Sequence, residues 1–256
     1  MLTKLQIEQF IVDGFVKIEN AFPVEIAKEC CNILWPMTGC LQNDRNTWTE
    51  PVIRIGELSD EPFIEAANTS VLIEAYNQLV GNDQWIPKNS LGTFPIRFPS
   101  KIIANDTGWH VDASFPGDEL SDYFKWRINV HSKGRGLLML FLFSDIGEMD
   151  APTILKNGSH MDVARILAPY QDDGLSFIEL AEKLDLNTSS KTTFATGKAG
   201  TVYLCHPFMV HSAQDHKGDI PKFMAQPALM TKIDLSINKN TENFCPVEIA
   251  IWKALH

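Results

Sequence analysis

Three features of the sequence predict a mainly β fold with flanking helices, built on a sandwich or jelly-roll core. Short apolar stretches broken by Gly, Pro and Asn turns recur from Gly92 to Leu229, which is the pattern of a sheet core. The run Leu137 to Phe143 has no polar side, so both of its faces are expected to be buried. The first third carries helical patterns instead, and no linker divides it from the rest. At 256 residues the chain reads as a single domain: a helix-rich part over 1–90, a jelly-roll core over 91–230 with a helical insertion near 161–190, and a C-terminal extension over 231–256.

Each element has a local cause. Thr3 and Gln6 form the sequence of a capping box, Leu5, Ile7, Phe10 and Ile11 give the helix its stripe, and Asp13-Gly14 ends it. Phe15 to Ile18 alternates as a strand. A second helix runs from Pro23 to about Trp35 and stops at Pro36, and Gly39 to Asn46 reads as a loop. Pro51 to Ile55 is a strand, Asp60 caps a helix, and a further helix spans Val71 to Val80 before the turn Gly81-Asn82-Asp83. Thr93 to Phe98, Phe124 to His131, Leu137 to Phe143, Gly200 to Val210 and Lys222 to Leu229 are strands. Phe177 to Leu184 is helical, and Pro246 starts a last helix containing Ile249, Ile251 and Trp252.

Composition excludes several classes. The formal charge of −10 argues against nonspecific nucleic-acid binding, which needs cations to displace counterions. No apolar run reaches membrane-spanning length, and Met1 to Gln6 lacks the apolar core of a signal peptide. The five cysteines are odd in number and contain no Cys-x-x-Cys, so they read as free thiols of a reducing cytoplasm.

The chemistry concentrates in Gly108-Trp109-His110-Val111-Asp112-Ala113-Ser114-Phe115. Residues i and i+2 of an extended strand share a face, so His110 and Asp112 aim an imidazole and a carboxylate into one space. Those are two ligands of the 2-His-1-carboxylate triad that holds Fe(II) with open positions. The second histidine must come from a distant strand, and both His206 and His211 are candidates. They are five residues apart, so on a regular strand only one can point inward. His211 is favoured because Lys222 follows eleven residues later, where a return strand would carry a cation back to the site. Lys222, Met224 and Gln226 then share one face by period two. Gly158-Ser159-His160 could form part of the rim, Trp109 and Phe115 could wall a pocket, and one of Arg54, Arg97, Arg127 and Arg135 could meet an anion. Arg54 and Gln226 join Lys222 as candidate cofactor-binding residues.

Taken together, these residues resemble the phytanoyl-CoA dioxygenase family of Fe(II)- and 2-oxoglutarate-dependent oxygenases, and more narrowly a bacterial subgroup of it. The resemblance runs from Gly14-Phe15-Val16 through Gly108 to Asp112 and Asn157 to His160, and ends with His206-Pro207-Phe208-Met209-Val210-His211 and the basic residue at 222. It covers most of residues 4–230. It implies a double-stranded β-helix, the cupin-like jelly roll, with His110, Asp112 and His211 as iron ligands and O2 and 2-oxoglutarate as co-substrates. The family usually carries Arg where this chain has Lys222, and a small hydroxyl residue where it has Ala213. Related halogenases lose the carboxylate, so the presence of Asp112 implies hydroxylation or another oxygen transfer; the reaction expected is hydroxylation of a small organic molecule, with release of succinate and CO2. A metal- or oxoacid-binding jelly roll without turnover, or a zinc hydrolase on the same ligands, are the alternatives.

Overall fold

The computed structural model describes residues 1–117, 119–184, 191–237 and 244–256. Helices α1 (Lys4–Asp13) and α2 (Val24–Met37) flank strand β1 (Phe15–Ile18). Strand β2 (Val52–Ile55), helices α3 (Glu61–Ala67) and α4 (Ser70–Val80), and strands β3 (Phe94–Arg97), β4 (Arg127–Ile128), β5 (Arg135–Leu142) and β6 (Ile154–Lys156) follow. Next come α5 (Ser159–Leu167), β7 (Leu175–Ser176), α6 (Phe177–Lys183) and β8 (Thr192–Phe194). Strands β9 (Val202–Cys205), β10 (His211–Ser212), β11 (Met224–Ala225) and β12 (Ala228–Met230) precede helix α7 (Pro246–Leu255).

Two sheets make the core. The larger runs β1-β9-β5, and β11 and β12 follow one another along the far edge of β5. A bridge between Arg97 and Lys222 joins β3, and with it β2, to this sheet. The smaller sheet is β10-β6-β8, extended by a bridge between His110 and His211. Strand β5 explains why the sheets stay together. Leu138, Leu140 and Leu142 pack with Leu155 and Ala195 of the smaller-sheet side, while Leu137, Met139 and Phe141 pack with Phe22, Phe63 and Phe94 under the helices. Alternation thus sends successive apolar side chains to two different cores, and the run needs no polar face.

The local signals are met at the helix ends. Thr3 and Gln6 form the capping box of α1, and Gly14 ends it at φ +86°, where a Cβ would be strained. Several expectations need correction. Helix α2 runs through Pro36 to Met37, because a proline in the last turn forfeits only one internal hydrogen bond. The strand expected over Phe124 to His131 shrinks to β4, preceded by a 3-10 turn at Tyr123–Lys125 that Asp122 caps. The strand from Gly200 to Val210 ends at Cys205, and the chain turns before β10. Lys222 to Leu229 splits into β11 and β12 around Pro227, which has no N–H to give the ladder. The insertion near 161–190 holds α5, which begins at Ser159, and α6; its residues 185–190 lie outside the described residues, as do residues 238–243 of the extension.

Candidate metal centre

His110 and His211 face each other as a direct cross-strand pair. His110 N–H donates to the His211 carbonyl at 3.0 Å, and His211 N–H donates back at 2.9 Å. Side chains of such a pair leave the sheet on the same face, and the imidazole centroids are 4.3 Å apart. Each ring is oriented by its own backbone. Nδ1 of His110 donates to the Gly108 carbonyl at 2.8 Å, and Nδ1 of His211 to the Met209 carbonyl at 3.0 Å. Both Nε2 lone pairs are therefore turned into the cavity.

Asp112 completes the cluster. Its Oδ1 lies 3.8 Å from His110 Nε2 and 3.7 Å from His211 Nε2, and one ligand atom from each residue falls within 4.8 Å of the others. His110 sits in an isolated bridge and not in a regular strand, yet the i, i+2 relation still holds. Asp112 Oδ2 accepts from Arg135 Nη1 at 2.9 Å. Burial works to raise the Asp112 carboxyl, but Arg135 and the two histidines outweigh it and hold it at about 2. Burial, with His110 alongside, pushes the His211 imidazole down to about 4. At neutral pH the cluster thus offers one carboxylate and a neutral imidazole from His211. Two imidazole nitrogens and one hard oxygen, all on one side, fit a divalent iron with open positions.

A cavity of about 710 Å³ opens over the cluster. Lys222, Met224 and Gln226 all line it, as the period-two spacing predicts. Gln226 donates its amide N–H to His211 Nε2 at 3.0 Å. Lys222 is only 2% exposed, and its Nζ donates to the Ala151 carbonyl at 2.6 Å. Burial pushes its ammonium down to about 7, Arg97 adds to that, and Asp106 opposes it. Arg54 lies at the cavity wall and is half exposed, paired with Asp106.

His206 and His160 are placed elsewhere. His206 is fully buried, its Nδ1 accepts from Phe208 N–H at 3.1 Å and its Nε2 donates to the Val247 carbonyl at 3.2 Å. Both nitrogens are used, so it has none to offer a metal. His160 is not at the rim: it is buried beside His206 and donates from Nε2 to the Ile11 carbonyl at 3.0 Å. Trp109 and Phe115 do not line the cavity either. They lie in the odd phase of the segment, opposite to His110 and Asp112, and Trp109 packs on the main core. Arg127 is spent on the carbonyls of Asp173 and Gly174. The sequence reading missed Asp106, Tyr123 and Trp126, which also line the cavity from loops without a periodic signal. It left Arg97 and Arg135 undistinguished among the arginines, because ion pairs across the fold leave no trace in spacing.

Solved structures share this architecture. The chain is similar to the non-haem α-ketoglutarate-dependent carbocyclase SnoK from nogalamycin biosynthesis, with TM-score 0.59 and 15% identity over 90% of this chain and 84% of that one. HygX from Streptomyces hygroscopicus, solved with nickel, 2-oxoglutarate and hygromycin B bound, gives TM-score 0.58 and 16% identity over 90% and 88%. EctD from S. alaskensis in its apo form gives 0.56 and 17% over 90% and 77%. At such identities the likeness establishes the fold, the double-stranded β-helix of a cupin-like jelly roll. No protein-family model and no curated protein sequence matches the chain.

Proposed function

We propose that this protein is a non-haem Fe(II)- and 2-oxoglutarate-dependent oxygenase that hydroxylates a C–H bond of a small organic molecule, akin to the phytanoyl-CoA dioxygenase family. The observation that carries the reading is the His110–Asp112–His211 cluster, with both imidazoles oriented by backbone carbonyls beneath a cavity that also holds a buried lysine. Iron(II) on these three residues, with 2-oxoglutarate and O2, would supply an oxidant able to take hydrogen from a C–H bond, releasing succinate and CO2.

The chain's own residues do the positioning. Arg135 occupies Asp112 Oδ2 and leaves Oδ1 to face the histidines. Lys222 would hold the distal carboxylate of the co-substrate as a point charge. Gln226 donates to the lone pair of His211 that a metal would take, so metal binding frees its amide for a ligand. Tyr123 and Trp126 line the cavity and would shield the reacting carbon from water. The similarity extends to substrates of HygX and its like only as a class, small molecules; an acyl-CoA does not follow from the fold. Among the described residues no helix is long and apolar enough to cross a membrane. A cytoplasmic setting is part of this proposal, resting on five free cysteines.

Anaerobic addition of Fe(II) and then 2-oxoglutarate tests the reading. A weak visible charge-transfer band is expected in the wild type and absent in Asp112→Ala. Iron that binds without any band on adding the oxoacid would refute it.

A further inference from the structure

One peptide group stands behind the His211 ring. The carbonyl that orients the imidazole belongs to Met209 and accepts from Nδ1 at 3.0 Å. The N–H at the other end of that same peptide belongs to Val210, and it donates to Ser159 Oγ at 3.0 Å. Amide planarity ties the two ends together, so a plane fixed at its N–H is fixed at its carbonyl. Ser159 is 4% exposed, and its hydroxyl donates to Met209 Sδ at 3.6 Å, which leaves an oxygen lone pair for Val210. The fold brings the serine there by a short route. Strand β6 pairs with β10 with Leu155 opposite His211, the chain turns at Gly158 with φ +76°, and α5 starts at Ser159. Neighbouring N–H groups are held differently: those of Phe208 and Met209 go to His206, and that of His211 goes to His110. Gln226 touches Nε2 of His211, but an amide can turn over and accept as readily as donate, so it follows the ring tautomer instead of setting it.

We propose that Ser159 is a positioning residue of the metal centre: by holding the Met209–Val210 peptide it keeps His211 in the Nδ1–H form, with Nε2 open to a metal. The metal in this statement rests on the function proposed above; the state of the ring can be read without it. Lacking the hydroxyl, Val210 would carry a buried N–H with no acceptor, and turning the peptide to find one takes the Met209 carbonyl away from Nδ1. The imidazole then loses the bond that places its proton, and the Nε2–H form, which cannot ligate through that nitrogen, becomes populated. The segment Asn157-Gly158-Ser159-His160 thus serves the site through the backbone behind a ligand.

The test reads the ring directly in the metal-free full chain, by long-range 1H–15N NMR of the histidine side chains near neutral pH. The His211 signals are assigned by their loss in His211→Ala. Wild type is expected to show the Nδ1–H form, and Ser159→Ala to raise the Nε2–H share about 5- to 10-fold, the worth of one hydrogen bond. Fe(II) added anaerobically should bind Ser159→Ala about 10-fold more weakly than wild type. Ser159→Thr keeps the hydroxyl and should restore both. Tyr76→Phe removes a buried hydrogen bond to the Ala67 carbonyl, between α4 and α3, and should alter neither, which separates loss of stability from loss of position. The role of Ser159 is overturned by a Ser159→Ala spectrum identical to wild type, by a folded Ser159→Thr that matches Ser159→Ala, or by Tyr76→Phe weakening Fe(II) to the same degree. Wild type that holds His211 as Nδ1–H yet binds no Fe(II) overturns instead the function on which the metal rests.

Discussion

The choice between His206 and His211 gives the sharpest test of the site. Replacing His206 with Ala removes a ring that is 0% exposed, strands the Phe208 N–H and takes one donor from the Val247 carbonyl. Each buried polar group left unpaired costs about 1–3 kcal/mol, and the void adds to this, so about 3–5 kcal/mol of stability should be lost. For a chain of this size that lowers Tm by roughly 6–20 °C. Metal affinity should stay within about twofold, because His206 has no free nitrogen near the cluster. His211→Ala removes a donor outright and should weaken metal binding by more than about 100-fold, the upper end of what loss of an outer partner does. The assay is calorimetric melting with and without Fe(II) under anaerobic conditions. At about 100 times the wild-type Kd the metal should stabilise wild type and His206→Ala by about 2.7 kcal/mol, and His211→Ala by less than about 0.4 kcal/mol. Metal stabilisation that survives His211→Ala and disappears in His206→Ala would refute the assignment.

Other outcomes follow from the same geometry. The Lys222 ammonium falls from 10.5 unfolded to about 7 folded, so between those values the unfolded chain binds more protons. Stability should therefore rise as pH goes from about 7 toward 10.5, and Lys222→Met should flatten that rise in melting curves; a rise unaltered in the variant would show that other groups cause it. Arg135→Gln takes away the cation that holds Asp112 Oδ2, so the Asp112 carboxyl should rise from about 2 and metal affinity should fall about 10- to 100-fold, most steeply at low pH. Metal titrations from pH 5 upward check this, and identical profiles for variant and wild type would count against it. Gly14→Ala combines φ +86° with a Cβ that would run into Met209 Cε and lie 2.5 Å from His160 Nδ1. It should lose about 2–4 kcal/mol in denaturant unfolding, and an unchanged midpoint would mean that the helix end can relax.

The sequence by itself determined what depends on near neighbours. The capping box of α1, the burial of both faces of β5, and the shared face of Lys222, Met224 and Gln226 all rest on interactions or periods a few residues long. His110 and Asp112 converge for the same reason, even though the segment is not a regular strand. In the sequence, phase alone leaves His206 and His211 open, and the eleven residues from His211 to Lys222 favour His211. Only the tertiary structure decided what lies across the fold. The bridge from His110 to His211 spans about a hundred residues of chain, and it alone brings the two rings together. Arg135 on Asp112, Asp106 between Arg54 and Arg97, and Arg97 beside Lys222 are contacts between elements whose spacing carries no period. Trp109 and Phe115 show the converse: aromatic and adjacent to the ligands in sequence, they are turned away by a single step of strand phase. Local chemistry writes periodicity into a chain, whereas long-range charge pairing becomes visible only once the sheets have folded.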